Sequence, residues 1–283
     1  MSKRTRERQL AKLAARRQAE RDAVQHRRQR IVTTIGVVVA VVLVGAGAVY
    51  LLGKGSSTTQ ASATSTLSPT PSASPSAKPG TQTSTVKPTA APATVACGAK
   101  APTSAGKPKP QFAGPPPMTI DKSKTYTATM ETSCGTIVIQ LDPKTAPQTV
   151  NSFVFLAKHG YFDGTFFHRI ATSIDVIQGG DPTGTGSGGP GYSIPDELNG
   201  KLSYGPGVFA MANAGPKTGG SQFFIITGTN GHNLDSNPNY TIFGHVIEGL
   251  DVAKQIQQRY APASGDGLPT AAIYIDKVTI AEK

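Results

Sequence analysis

The sequence predicts a mainly β domain in residues 118–283, with a closed barrel and helical caps as its architecture. Short segments rich in β-branched and aromatic residues recur there between glycine-rich turns. Only two segments have apolar residues at helical spacing. Many short strands with so few helices suit a closed barrel better than a parallel α/β sheet, in which strands and helices alternate.

The chain begins with a basic tail, residues 1–30. The formal net charge of +11 is uneven, because this tail holds 11 Lys and Arg against 3 acidic residues, whereas residues 118–283 hold 11 against 14. The basic pI therefore describes the tail and linker, and it does not indicate a nucleic-acid partner for the domain. A solvated, partly helical cytoplasmic tail and one attached to anionic lipid headgroups both agree with this composition.

Residues 31–52 are almost wholly apolar and contain no charge. A bilayer core of ~30 Å needs about 20 such residues, so we expect a transmembrane helix here. The alternative is a cleaved signal peptide, since Ala46-Gly47-Ala48 resembles a cleavage site. The apolar run continues past Ala48, which favours an uncleaved signal anchor. The preceding Lys and Arg place the N-terminus in the cytoplasm and the C-terminal domain outside a single-pass cell membrane.

Residues 53–117 are dominated by Ser, Thr, Pro and Ala, and they are predicted to form a disordered linker. One of the two cysteines, Cys97, lies in this linker, and the other, Cys134, lies in the domain. If both are outside the cell, they can form a disulfide. Two unpaired thiols are the alternative that the sequence leaves open.

The domain is predicted to begin with two strands, at residues 125–132 and 135–141, which alternate in polarity around a turn at Ser133-Cys134-Gly135. A helix is expected over residues 146–157, since Pro147 suits its start and Gly160 its end. A second helix is expected over residues 250–260 and a closing strand over residues 272–280. The glycines between residues 184 and 191 lack the Gly-Lys-Ser/Thr ending of a phosphate-binding loop and predict a long loop instead.

Four motifs follow one another between residues 166 and 225: Phe166-Phe167-His168-Arg169-Ile170, Gln178-Gly179-Gly180-Asp181, Met211-Ala212-Asn213-Ala214-Gly215-Pro216 and Gly220-Ser221-Gln222-Phe223-Phe224-Ile225. In their order and separation these motifs resemble the cyclophilin family of peptidyl-prolyl cis-trans isomerases, over about residues 122–283. The resemblance implies a closed eight-stranded antiparallel barrel capped by two helices. It also implies rotation of X-Pro peptide bonds as the activity, with no cofactor and no metal.

The resemblance assigns a role to each polar motif residue. Arg169 is the implied catalytic residue, because its charged guanidinium can donate to the proline nitrogen or to the adjacent carbonyl. Gln178 is expected to reach the substrate backbone and to steady the arginine. The complete implied substrate-binding set is Gln178, Met211, Ala212, Asn213, Gln222, Phe224, Leu234 and Tyr240.

Three positions depart from the family's pattern. Asp175 falls where the family usually has an aromatic wall of the proline pocket, so either Ile174 turns inward or the pocket is more open and polar. Asn233 stands where many members have tryptophan, and Tyr240 where many have histidine. These changes put the rate and the substrate range in question without removing Arg169.

The leading hypothesis is a membrane-tethered, monomeric isomerase that acts on proline-containing polypeptides exported from the cytoplasm. A proline-peptide-binding chaperone module of the same fold, with weak or no turnover, is the alternative, and Asp175 is the residue that favours it. A structural cell-wall spacer is a third reading, which the intact motifs disfavour. The histidines at 159, 232 and 245 are unclustered, so no metal site is predicted.

Overall fold

The computed structural model describes residues 78–89, 91–200 and 202–283. The predicted tail and the predicted transmembrane segment, residues 1–52, lie outside these ranges, as does the first part of the predicted linker. Within the described ranges, no helix is long and apolar enough to cross a membrane.

The described residues contain two α-helices, α1 (Pro147–Lys158) and α2 (Leu250–Tyr260), and two short 3-10 helices. The twelve strands are β1 (Gln82–Val86), β2 (Lys109–Phe112), β3 (Tyr126–Thr132), β4 (Gly135–Leu141), β5 (Thr165–Phe166), β6 (Arg169–Ala171), β7 (Val176–Gly179), β8 (Val208–Met211), β9 (Phe223–Ile226), β10 (Ile242–Glu248), β11 (Asp266–Gly267) and β12 (Tyr274–Glu282).

Ten strands form one curled antiparallel sheet in the order β11-β6-β7-β9-β8-β10-β4-β3-β12-β5. The predicted mainly β architecture is confirmed, but the sheet has ten strands instead of eight. Two of them, β5 and β11, have only two residues each. The segment 165–171 changes its partner strand from β12 to β7. The Phe167 N–H donates to the Ile273 carbonyl just before β12, and the His168 N–H donates to the Gln178 carbonyl of β7, each at 3.0 Å. This change brings Arg169 beside β7.

Both predicted helices are present, and each begins and ends within about one residue of its prediction. Helix α1 packs its apolar face into the sheet, where the ring of Phe153 stacks on Phe162 at 4.9 Å and meets Phe209 edge-on at 5.4 Å. The helix ends where Gly160 adopts a φ of 61°, a conformation that costs glycine little. This packing gives the site a rigid support.

Residues 78–89 and 91–117, called the N-terminal arm below, differ from the predicted disordered linker. Strands β1 and β2 of the arm pair antiparallel, and Phe112 is buried with its ring 4.8 Å from that of Phe155 in α1. A disulfide joins Cys97 of the arm to Cys134 in the β3–β4 turn. The prediction from composition is corrected here, because a covalent link and one buried ring offset part of the ordering entropy of a segment poor in apolar residues.

Candidate active site

Arg169 is the first residue of β6 and lies directly across from Gln178 of β7 in the antiparallel register. Opposite residues in such a pair project to the same side of the sheet. The Arg169 Nη1 therefore reaches the Gln178 Oε1, at 3.2 Å. The next residue, Ile170, points into the core, so the strand's alternation separates a buried side chain from a functional one.

The guanidinium of Arg169 is also bound by Asp266 of β11. Its Nε and Nη2 donate to the two carboxylate oxygens of Asp266, each at 2.7 Å. The hydrogen bonds from Asp266 are the main cause of a raised pKa of Arg169. Sequence analysis missed Asp266, since it lies 97 residues further along the chain and outside the four motifs. Only the pairing of β11 with β6 brings the two together.

Gln178 and Gln222 continue the hydrogen bonding away from the arginine. The Gln178 Nε2 donates to the Gln222 Oε1 at 3.0 Å. The Gln222 Nε2 then donates to the carbonyls of Gly186 and Gly188, at 3.1 and 2.9 Å. Gln222 thus links the centre of the site to the glycine-rich loop, residues 181–191. It lies beside the main cavity, in an adjacent cleft.

A cavity of about 490 Å³ opens beside Arg169. Three residues that sequence analysis had selected for their side chains line it, Phe224, Leu234 and Tyr240, and the ring of Phe224 meets that of Tyr240 edge-on at 5.2 Å. Val176 and Leu268 also line it and were missed, because neither is distinguishable by sequence from an ordinary core or surface residue. The whole lining consists of His168, Arg169, Ile174, Val176, Gln178, Gly184, Thr185, Gly186, Ala212, Asn213, Phe224, Leu234, Tyr240, Asp266, Gly267 and Leu268.

The wall of this cavity contains Ile174 instead of Asp175. Asp175 has a φ of 48°, and its carboxylate accepts hydrogen bonds from the Gln257 Nε2 and the Asn230 N–H, each at 2.8 Å. Of the two alternatives left by the sequence, the inward turn of Ile174 is the one observed. Asn233, at the other unusual position, donates to the Ser173 carbonyl at 3.0 Å.

Two of the expected peptide-clamping residues, Ala212 and Asn213, line the cavity. The Asn213 side chain donates to the Asn239 carbonyl at 2.7 Å, which fixes its orientation. Met211 does not line the cavity, so the structure does not place it with the substrate-binding set. It is only 3% exposed and packs in the core, because successive residues of a strand point to opposite faces.

His168 lines the cavity beside Arg169 and is only 6% exposed. Neither ring nitrogen has a hydrogen-bond partner. Burial is the main cause of a pKa below the usual value for histidine, and it outweighs the nearby carboxylate of Asp181, which raises that pKa. A neutral imidazole here keeps Arg169 as the positive charge at the cavity.

A second cleft of about 380 Å³ adjoins the cavity. The two share Gln178, Gly186, Ala212 and Asn213 as lining residues. The rest of the second cleft is lined mainly by residues 187–193 and 218–222. Residues 181–191 therefore border both the cavity and the cleft.

The fold and this site define a mainly β protein with an apolar cavity beside a fixed cation. The model of the family "Cyclophilin type peptidyl-prolyl cis-trans isomerase/CLD" matches residues 127–280. The chain belongs to this family, and the resemblance inferred from the four motifs is confirmed.

Relatives with curated names agree with this assignment. Peptidyl-prolyl cis-trans isomerase A of Mycobacterium tuberculosis is 42% identical over 174 residues, which are 55% of this chain and 92% of the relative. Peptidyl-prolyl cis-trans isomerase-like 1 of Homo sapiens is 47% identical over 131 residues, or 45% of this chain and 76% of the relative. The predicted isomerase function is therefore confirmed.

Solved structures show the same fold. A cyclophilin-type peptidyl-prolyl cis-trans isomerase of Cryptosporidium parvum is 31% identical, with a TM-score of 0.50, over 56% of this chain and 99% of that one. A second structure of the same protein, in the presence of the dipeptide Ala-Pro, is 32% identical, with a TM-score of 0.50 and the same coverage.

Proposed function

We propose that Arg169 accelerates X-Pro rotation by hydrogen bonding to the twisted amide, while the proline ring occupies the cavity floored by Phe224. The observation behind this proposal is the guanidinium held by Gln178 and Asp266 at the edge of an apolar cavity. The similar Cryptosporidium parvum protein was solved with Ala-Pro, which supports a proline-containing peptide as the occupant here.

Rotation about an X-Pro bond is slow because it breaks amide resonance, with a barrier of about 18–20 kcal/mol. In the twisted state the nitrogen loses conjugation and accepts a hydrogen bond that the planar amide nitrogen does not. A donor fixed beside that nitrogen therefore stabilises the transition state more than the ground state. Arg169 suits this role because its guanidinium stays protonated and two neighbours fix its position.

The apolar cavity supplies the second requirement, a fixed ring. Phe224, Val176 and Ile174 give it a dry wall, which holds the uncharged pyrrolidine while the preceding carbonyl turns. Ala212 and Asn213 lie at the mouth, where backbone contacts hold an extended peptide with broad sequence tolerance. With Asp175 turned away, the feature that favoured a binding module without turnover no longer faces the pocket.

Arg169→Ala is the direct test, on the full chain with a proline tetrapeptide. We expect kcat/KM to fall by about 10²–10³, the usual loss for a fixed transition-state donor. Arg259→Ala is the matched control, since Arg259 is the other arginine of the domain and lies exposed on α2. If Arg169→Ala keeps the wild-type kcat/KM, the proposal that Arg169 stabilises the twisted amide is refuted. If the wild-type chain binds the peptide without accelerating rotation, the binding-module alternative holds.

We further propose that the chain is a single-pass membrane protein whose isomerase domain faces outward and acts on exported proteins. The uncharged segment 31–52 and the basic residues before it support this orientation. The disulfide Cys97–Cys134 also supports it, since disulfides persist in oxidising compartments.

Protease treatment of intact spheroplasts tests the location. Digestion of the C-terminal domain with survival of a short N-terminal fragment is the expected result, because only residues after the membrane segment are exposed outside. Full protection of the domain would place it in the cytoplasm and overturn the proposal. A domain found free in the medium would indicate the cleaved signal peptide instead.

A further inference from the structure

We propose that the N-terminal arm, which precedes the residues matched by the family model, is a positioning element for substrate binding, and that Gln111 and Thr89 exert its effect. The arm does so by fixing the glycine-rich loop, residues 181–191, which borders both the cavity and the adjoining cleft. This inference deepens the proposed function and rests on it.

The arm hydrogen-bonds to the loop at three successive places. Both the N–H and the hydroxyl of Thr89 donate to the Thr183 carbonyl, at 2.9 and 2.7 Å. The Gln111 Nε2 donates to the Gly189 carbonyl at 2.8 Å, and the Phe112 N–H donates to the Pro190 carbonyl at 2.8 Å. These contacts cover the outer side of the loop from its start to its end.

The loop's other supports are also polar. Its buried Asp181, only 1% exposed, accepts hydrogen bonds from the N–H groups of Thr183 and Gly186, each at 2.6 Å, and of Gly188 at 3.1 Å. Gln222 binds it from the cavity side. A loop this rich in glycine has little side-chain packing of its own, so its position depends on these polar contacts.

The arm is itself held firmly enough to serve as a support. The disulfide fixes the middle of the arm at the β3–β4 turn, and Phe112 is buried against α1. Lys109 is buried and donates to the Asp163 carbonyl. A Cβ atom at Gly191 of the domain would lie 2.7 Å from the Phe112 carbonyl oxygen, so the two backbones meet where only glycine fits.

Arm and catalytic centre are joined by a path of amides and loop backbone. Arg169 donates to Gln178, Gln178 to Gln222, and Gln222 to the carbonyls of Gly186 and Gly188. The next carbonyl along the loop, that of Gly189, accepts from Gln111. Loss of the outer contact frees the loop, which then moves the wall of the adjoining cleft and releases Gln222.

The expected consequence is weaker binding of the peptide, with the rotation step less affected. The loop lines both parts of the site, but it contributes more of the adjoining cleft, and Arg169 has a second, independent support in Asp266. A change in the arm should therefore raise KM more than it lowers kcat. A merely structural role would lower the melting temperature and leave this ratio unchanged.

The test compares the full chain with Gln111→Ala and Gln111→Glu, using one proline tetrapeptide. We expect Gln111→Ala to lower kcat/KM by about two- to tenfold, the effect of one hydrogen bond, mainly through KM. Gln111→Glu should lower it further, because its carboxylate faces the Gly189 carbonyl. Hydrogen exchange at the amides of residues 186 and 188 should speed up in both variants.

Thr85→Val is the matched control. Thr85 lies in strand β1 of the same arm, is exposed, and is paired with Pro110 instead of Gln111. Its kinetics should match the wild type. Wild-type KM and loop exchange in both Gln111 variants would overturn the inference while leaving the isomerase proposal intact. A wild-type chain without isomerase activity would instead refute the proposed function.

Discussion

The carboxylate of Asp266 accepts two hydrogen bonds from the guanidinium of Arg169, one from Nε and one from Nη2. The remaining nitrogen, Nη1, donates to Gln178, which continues the hydrogen bonding to Gln222. The pair is partly exposed, with 37% of the arginine side chain and 50% of the aspartate side chain accessible. Its role is therefore to orient the cation more than to stabilise the fold.

Asp266→Asn tests this orienting role. Asparagine keeps the shape but offers one acceptor oxygen and no charge, so the guanidinium is held less firmly. We expect kcat/KM for a proline tetrapeptide to fall by about two- to fivefold, with an unchanged melting temperature, as for a partly exposed ion pair. Asp251→Asn, an exposed change on α2, serves as the control. A higher kcat/KM in Asp266→Asn would contradict the orienting role and would mean that the carboxylate lowers the activity of Arg169.

His168 predicts how stability depends on pH. Burial is the main cause of its lowered pKa, so the unfolded chain binds this proton more readily than the folded chain. Stability from this residue is thus complete above its unfolded pKa of about 6.5 and is lost as pH falls from there through the folded pKa. Urea titrations between about pH 7 and 5 should show this loss, and His168→Gln should reduce it. If the free energy of unfolding of His168→Gln falls with pH as steeply as that of the wild type, groups other than His168 cause the loss.

The disulfide predicts a redox dependence of stability. Cys97 and Cys134 are separated by 37 residues. A cross-link of this kind typically contributes about 2–4 kcal/mol, largely by restricting the unfolded chain. Replacing both cysteines with serine should lower the free energy of unfolding by about that amount. Reductant should lower the midpoint of the wild type to that of the double variant. A reductant effect on the double variant would point to another cause.

Glu197 predicts a stability change without a change in mechanism. Its buried carboxylate accepts hydrogen bonds from the N–H groups of Gln148 and Thr149, at 3.0 and 2.9 Å, and from the Thr149 hydroxyl at 2.8 Å. It therefore satisfies the first turn of α1 from a distant loop. Glu197→Ala should cost about 1–3 kcal/mol of unfolding free energy. Glu248→Ala, an exposed change at the end of β10, should cost little by comparison.

Much of the fold was predictable because its signals are local. The turn at Ser133-Cys134 and the start of α1 at Pro147 follow from backbone preferences that a short window contains. The motifs implied that Gln178 steadies Arg169, but they did not say how the two residues meet. That depends on the register of β6 against β7, which only the folded structure shows.

What the sequence left open depends on contacts between distant segments. Of the two alternatives at Asp175, the inward turn of Ile174 is the one observed, and the φ of 48° and the bonds from Gln257 and Asn230 hold Asp175 in that arrangement. The assignment of Met211 to the substrate-binding set came from a motif, and the alternation of β8 instead packs this side chain in the core. Asp266 had no local signal, because its partner lies 97 residues earlier in the chain.

The contact of Phe112 with Phe155 bears on how the catalytic part of this protein is best produced. A recombinant fragment trimmed to residue 118, where composition alone places the boundary, would leave a bare phenyl ring on α1 and a lone thiol at Cys134. Such a fragment would be prone to self-association and to intermolecular cross-linking in air. Starting upstream of Lys78 retains the covering ring and the native thiol partner together.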